Sequence, residues 1–151
     1  MSQTVAAAAL KPNPALSPFE FLIGTWRTAG THPMVPGKTL AGRTSFDWHE
    51  GGAFLIMHNH VDEPGFPNGV AIFGSDDESG RFSMLYFDER GTSRLLDLEV
   101  GEGTITWRHE SPKFAQQLTI TAEGERLVSK GRMSQDGGPW TDDLSQIFER
   151  E

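Results

Sequence analysis

The feature that most constrains the fold is a series of about ten short segments in which apolar side chains recur at every second position. Period-two alternation is the pattern of a β-strand with one buried face, and strands at this spacing are typical of an all-β sandwich or barrel. The predicted strands are 24–31, 40–49, 53–62, 69–75, 81–88, 93–100, 103–109, 114–121, 126–133 and 140–150.

The connections between these segments are short and rich in turn residues, as in Glu50-Gly51-Gly52 and Gly101-Glu102-Gly103. Short links force antiparallel pairing of sequence neighbours, since a parallel crossover needs about a dozen residues. A long, twisted meander closes on itself to remove its open edges. We therefore predict a single up-and-down antiparallel β-barrel of about ten strands. A short helical turn is predicted to precede it at Ser17-Pro18-Phe19-Glu20, with serine as its cap.

The length of 151 residues fits one domain. Residues 1–15 combine small side chains with Lys11-Pro12-Asn13-Pro14, a composition that orders poorly, so we predict a flexible tail there and the barrel over 16–151. No lysine or arginine precedes the alanine run of Met1 to Leu10, which therefore lacks the anatomy of a secretory signal. We expect a cytoplasmic protein.

Charge and cysteine content exclude several classes of function. The chain has 13 basic and 21 acidic residues, a net charge of -8, which repels phosphate backbones and anionic lipids. We therefore expect neither a nucleic acid nor a membrane as partner. The absence of cysteine excludes disulfides, thiolate metal sites and a cysteine nucleophile. A homodimer is compatible with the sequence, although no sequence patch argues for it.

Several stretches carry a resemblance to known barrels. The run Phe21 to Gly30, with its Gly24-Thr25-Trp26 triplet, resembles the Gly-x-Trp start of the calycins, the superfamily of lipocalins, fatty-acid-binding proteins and nitrobindin-like haem barrels. More closely, the chain resembles a bacterial family of lipocalin-like β-barrels of unassigned function. The stretches that match that family are 42–48, 51–56, 72–77, 84–88 and 91–94. The resemblance implies a calycin barrel with a cavity and implies no reaction.

The calycin resemblance also implies roles for single residues. In calycins the motif tryptophan closes the barrel floor and an arginine near the end of the last strand lies over its ring; Trp26 and Arg150 match these positions. A nitrobindin-like barrel would hold haem through a histidine on the last strand. That position is about Asp143 here, and residues 140–151 contain no histidine. A carboxylate is a poor axial ligand for haem iron, so we expect no haem and no other cofactor.

The histidines are the polar residues that point most directly to chemistry. His58 and His60 share one face of a predicted strand, and we predict that this face points inward, with His109 across the barrel. A metal held by His58 and His60 is a weaker alternative, because such a site needs a third converging ligand. The segment 62–69, with Phe66, is predicted either to cover the barrel mouth as a stiff flap or to rest on its rim.

Three hypotheses for function follow. The first is a barrel that binds a small, largely apolar ligand with a polar head. The second is a cofactor-independent hydrolase or isomerase that uses His58, His60 or His109 as base. The third is a structural or interaction barrel with a filled interior. The predicted ligand contacts are Trp48, Phe54, Tyr86 and Trp107 as walls and His58, His60, Arg94, His109 and Gln116 as polar groups.

Overall fold

The structure is a computed structural model that describes residues 13–151. The strands are β1 (Gly24–Thr31), β2 (Leu40–His49), β3 (Phe54–Val61), β4 (Gly69–Ser75), β5 (Phe82–Asp88), β6 (Ser93–Gly101), β7 (Thr104–Glu110), β8 (Phe114–Glu123), β9 (Arg126–Gln135) and β10 (Thr141–Arg150). Each strand pairs antiparallel with its sequence neighbours, and β1 pairs with β10 to close the barrel. The predicted fold class is confirmed, and every predicted strand limit lies within two residues of the observed one.

A 3₁₀ helix precedes the barrel, and it begins earlier than predicted. It runs over Pro14–Leu22, with Asn13 as the cap in place of the predicted Ser17. The Asn13 side chain accepts a hydrogen bond from the backbone N–H of Ala15 at 3.0 Å, and Pro14 occupies the first turn, where its missing donor costs nothing. The first twelve residues of the predicted tail lie outside the described residues. A second 3₁₀ turn, Glu50–Gly52, joins β2 to β3.

The 3₁₀ helix closes one end of the barrel, which we call the floor. Leu16, Phe19 and Leu22 have no exposed surface. The ring of Phe19 meets Phe73 edge-on at 5.7 Å and Phe82 at 5.1 Å. Further large side chains from the strands complete this half of the core, namely Trp26, Phe46, Leu55, Ile105, Ile120, Leu127 and Phe148.

Trp26 and Arg150 lock the floor. The indole N–H of Trp26 donates to the carbonyl oxygen of Leu22 at 2.8 Å, which ties β1 to the helix. The guanidinium carbon of Arg150 lies 4.1 Å from the centre of the Trp26 ring, and its Nη1 donates to the carbonyl of Ile23 at 2.7 Å. A stacked arginine of this kind contributes roughly 0.5 to 2 kcal/mol. The last strand is thereby fastened to the first at the point where the barrel closes.

The predicted orientation of β3 is wrong. Its buried side chains are Leu55, Met57 and Val61, whereas Phe54 and both histidines, His58 and His60, are exposed on the outer surface. The register with the neighbouring strands explains which face of β3 is buried, because Met57 pairs with Phe46 on β2 and Ala71 on β4, and both of these are buried. Alternation alone gave no signal, since apolar residues occupy both faces of this strand.

Candidate functional site

The end of the barrel opposite the floor holds inward side chains that keep part of their surface accessible. We call this end the mouth. Strand direction and register place there the inward residues Tyr86, Arg94, His109, Gln116 and Asp143, all of them half-buried. At the floor, Phe46 and Phe73 have no exposed surface, whereas Trp48 and Phe82 are half-buried. The inward polar side chains with accessible surface are therefore gathered at the mouth.

One side of the mouth is organised around the carboxylate of Asp88. Its side chain has no exposed surface, and its Oδ2 accepts hydrogen bonds from the Tyr86 hydroxyl at 2.9 Å and from Arg90 Nη2 at 2.8 Å. The backbone N–H of Arg90 donates to Oδ1 at 2.9 Å. The Tyr86 ring lies so close to Gly69 that a side chain at position 69 would come within 2.9 Å of it, so this position requires glycine. The network fixes the tyrosine against the rim.

These contacts shift the pKa of two groups. Burial alone would raise the pKa of Asp88, but the hydrogen bonds from Arg90 and Tyr86 outweigh it and lower the pKa to about 2. Burial, followed by the hydrogen bond to Asp88, raises the pKa of Tyr86 to about 12. Near neutral pH the tyrosine is therefore a hydrogen-bond donor and the aspartate a charged acceptor.

The opposite side of the mouth is organised around Asp143. His32 Nδ1 accepts the backbone N–H of Met34 at 3.0 Å, so the neutral ring carries its proton on Nε2 and donates to Asp143 Oδ1 at 2.9 Å. Gln116 Nε2 donates to the other oxygen, Oδ2, at 2.9 Å. A register shift between Asp142 and Ser145 in β10 marks the irregularity beside which Asp143 turns into the barrel.

Arg94 extends this second network across the mouth. Its Nη1 donates to Gln116 Oε1 at 3.4 Å, a long contact. Its guanidinium carbon lies 4.7 Å from the centre of the Phe114 ring, within cation–π range. The remaining donors of the guanidinium carry no ion pair within the described chain.

Deeper in the barrel, buried polar atoms lack a hydrogen-bond partner among residues 13–151. They belong to inward side chains on four adjacent strands, and we call them the unpaired polar wall: Gln146 Nε2 on β10, Thr28 Oγ1 on β1, Thr44 Oγ1 on β2 and Asn59 Oδ1 on β3. Thr28, Thr44 and Gln146 are 5%, 2% and 5% exposed. A buried polar group without a partner costs about 1 to 3 kcal/mol, so native proteins pair nearly all such groups with protein atoms, ordered water or a ligand.

Glycines bring the members of this wall together. A Cβ at Gly42 would lie 2.8 Å from Thr28 Oγ1, and a Cβ at Gly30 would lie 2.9 Å from Cγ of Gln146. Thr28 and Gln146 therefore each lie over a glycine on the next strand. Thr44 and Asn59 are directly paired across β2 and β3. The wall is thus continuous across four strands.

The predicted site residues divide between the two faces of the barrel. Six of them, Trp48, Tyr86, Arg94, Trp107, His109 and Gln116, point inward, and three, Phe54, His58 and His60, point outward. Sequence reasoning missed His32, although it continues the inward alternation of Trp26 and Thr28 along β1. It also missed the unpaired polar wall, because threonine, asparagine and glutamine are polar side chains and the period-two pattern identifies an inward face only by its apolar residues.

The outward histidines line a groove of about 950 Å³ on the outer surface, together with Arg43, Val70 and Phe87. His60 Nδ1 is hydrogen-bonded to Asn68 Oδ1. Within the described residues no group of three or more histidine, aspartate or glutamate side chains is placed to hold a metal ion. His58 and His60 therefore do not meet a third ligand in this arrangement.

The segment predicted as flap or rim lies at the mouth. Phe66 is half-buried, and its ring meets that of His32 edge-on at 5.4 Å. Lys38 Nζ donates to Glu63 Oε2 at 3.0 Å, so the connection between β1 and β2 and that between β3 and β4 are joined twice. Phe66 thus packs on the rim, beside the Asp143 network.

Comparison with known proteins identifies the fold. No family model matches the chain, and no curated protein matches it. Among solved structures, the crystal structure of Rv2717c from M. tuberculosis matches with a TM-score of 0.63 and 19% identity, over 91% of this chain and 98% of that one. Within the described residues no helix has the length and apolar character needed to cross a membrane. The chain is a closed ten-stranded antiparallel barrel, and its likeness to this structure concerns the fold.

Proposed function

We propose that the barrel binds one small molecule that enters through the mouth and pairs its polar groups with the unpaired polar wall. The observation that carries this proposal is the set of buried side-chain atoms without a partner, three of whose residues are at most 5% exposed. A filled, purely structural barrel would replace such atoms with apolar ones, since an unpaired polar group destabilises it. A bound molecule would satisfy them.

The chemistry of the wall describes the ligand. The two threonine hydroxyls donate or accept, Asn59 offers an oxygen acceptor and Gln146 offers a nitrogen donor. None of these groups carries a charge, so they suit a neutral polar head with both donors and acceptors. Trp107 and Leu118, which are paired across β7 and β8 and face inward, provide an apolar surface for the rest of the molecule. This agrees with a largely apolar ligand that has a polar head.

The histidines favour binding over catalysis. Both ring nitrogens of His32 are occupied, one by the Met34 N–H and one by Asp143, so His32 has no free position at which to accept a substrate proton. Of the three candidate bases, His58 and His60 lie on the outer surface and only His109 faces inward. Among residues 13–151 no side chain is hydrogen-bonded to His109, whose aromatic neighbour is Phe114 with ring centres 6.5 Å apart.

Native mass spectrometry of protein purified from cells tests the proposal. We expect the wild type to carry a small molecule that is released on denaturation, and the double variant Thr28→Val, Thr44→Val to lose it, because both hydroxyls of the wall are removed. Thr119→Val is the matched control, since Thr119 is an outward threonine whose hydroxyl bonds to Thr106 at 2.9 Å. The control should retain the molecule.

Two results would contradict this function. A wild-type protein of bare mass that also takes up no molecule from a cell extract would favour the filled barrel. Equal retention of a molecule by the wild type and the double variant would show that the ligand does not bind at the unpaired polar wall.

A further inference from the structure

The outer surface carries an apolar row that the ligand site does not explain. Ile56, Ile72, Leu85 and Leu95 lie on β3, β4, β5 and β6, and each is the direct register partner of the next. Ile72, Leu85 and Leu95 are 38%, 44% and 61% exposed. We call these four side chains the outer apolar row. Scattered exposed apolar residues are ordinary, but a contiguous row across four strands marks an interaction surface.

The outer apolar row has larger side chains on its mouth side than on its floor side along β4 and β5. Towards the mouth, β4 and β5 present Val70 and Phe87, which stand at the edge of the outer groove that they line with His58 and His60, and Phe87 is 44% exposed. Towards the floor, the same strands present Gly74 and Ser83, which are register partners. A Cβ built at Gly74 meets nothing within 4 Å, so the space above it is open. The row is thus flanked by a ridge and a hollow.

We propose that this face binds a second copy of the same chain. The two outer apolar rows would lie on one another, related by a twofold axis that runs along the rows and at right angles to the strands. Such a rotation exchanges the mouth side and the floor side of the face. It places the ridge of one copy, Val70 and Phe87, over the hollow of the other, at Gly74 and Ser83. The face is therefore complementary to itself, as an isologous interface requires.

The size and charge of the face suit a dimer. Five side chains here, Phe54, Ile72, Leu85, Phe87 and Leu95, are between 38% and 61% exposed. They leave on the order of 400 Å² of apolar surface, taking about 200 Å² for each whole side chain. A standard interface buries about 800 Å² per partner, of which about 56 to 65% is apolar, so these five side chains supply most of the apolar share.

Charge favours this face over the rest of the surface. The outward positions of β4 and β5, from Val70 to Gly74 and from Ser83 to Phe87, carry no charged residue. Asp97 of β6, the register partner of Ser83, is exposed at the edge of this uncharged centre. Two copies that each carry a net charge of -8 repel one another, and they repel least where they meet through positions without charge.

Sedimentation velocity over a concentration series tests the interface. We expect the wild type to form dimers and Gly74→Leu to weaken the dimer about tenfold or more, because the new side chain fills the hollow that receives the partner's ridge. The change should not disturb the monomer, since the site is open and its backbone is outside the left-handed region. Leu85→Glu, in the centre of the row, should dissociate the dimer as well.

Ile147→Glu is the matched control, because Ile147 is a 40% exposed isoleucine on the outer face of β10, on another side of the barrel. It should leave the dimer unchanged. Circular dichroism confirms that each variant is folded. A wild type that stays monomeric at every concentration overturns the proposal, as does a dimer that Gly74→Leu leaves intact. A monomer that instead binds an unrelated protein through this face would also reject the second copy as its occupant.

Discussion

At the floor of the barrel the polar groups of Trp26 and Arg150 are paired, whereas the atoms of the neighbouring unpaired polar wall are not, and one of these, Thr44 Oγ1, belongs to the register partner of Trp26. The indole of Trp26 is bonded to Leu22 and the guanidinium of Arg150 to Ile23. Thr28 lies only one inward position further along β1 than Trp26, yet its hydroxyl has no partner. We infer that the packed floor stabilises the fold enough to offset the destabilising effect of the unpaired polar wall. A division of this kind between a stabilising and a functional region is common in binding proteins.

The largest effect should come from the floor. Phe19→Ala removes a ring with no exposed surface that packs edge-on against two other rings, so we expect a loss of about 3 to 5 kcal/mol in the free energy of unfolding. Trp140→Ala, at a 42% exposed tryptophan, is the control and should cost about 0.5 kcal/mol or less. Urea denaturation measures both. Similar losses in the two variants would mean that the 3₁₀ helix does not anchor the floor.

The Asp88 network should give a smaller, pH-dependent effect. In the folded protein the pKa of Asp88 is about 2, below the ordinary value of 3.8, so the charged carboxylate stabilises the fold above about pH 4. That contribution is lost as the pH falls from about 4 to about 2. We expect Asp88→Asn to cost on the order of 1 to 2 kcal/mol at pH 7, a reduced figure because the Arg90 side chain is 59% exposed and water screens its charge. The difference between wild type and variant should shrink towards pH 2 in urea titrations; a difference independent of pH would exclude this network as its cause.

The contribution of Tyr86 to stability should be lost at high pH, whereas that of Asp88 is lost at low pH. The folded pKa of Tyr86, about 12, lies above the ordinary 10, so the fold favours the neutral hydroxyl, and that contribution is lost as the pH rises from about 10 to about 12. Tyr86→Phe removes the hydrogen bond to Asp88 and should cost about 1 kcal/mol at pH 7. Ultraviolet absorbance at alkaline pH follows the phenolate directly. A midpoint near pH 10 would contradict the burial of this hydroxyl.

The architecture was predictable because it depends on local signals. Turn residues such as those of Gly101-Glu102-Gly103 limit the strands, and short connections leave only sequential antiparallel pairing. The orientation of β3 was not predictable in this way. Phe54 and Ile56 are apolar and point outward, Ile56 as part of the outer apolar row, so the sequence pattern indicates a buried side on both faces of the strand. Only the register with β2 and β4 separates them.

The candidate site was predictable in part, and its limits are equally physical. Tyr86, Arg94 and Gln116 follow strict alternation into the mouth and were identified from the sequence. Asp143 lies beside the irregularity in β10, which breaks the period-two count. The unpaired state of Thr44 depends on which groups approach it from other strands. Such long-range contacts are not encoded in the local pattern.

The most direct test of the unpaired polar wall is whether removal of one of its hydroxyls raises or lowers the free energy of unfolding. Thr44→Val should be measured by urea unfolding in two preparations, the protein as purified and the protein stripped of bound molecules by unfolding and refolding. In the stripped protein we expect the variant to be more stable than wild type by about 1 kcal/mol, because a buried unpaired hydroxyl is removed. In the protein as purified the variant should be less stable than wild type, because a ligand contact is lost. The same change in both preparations would contradict the account.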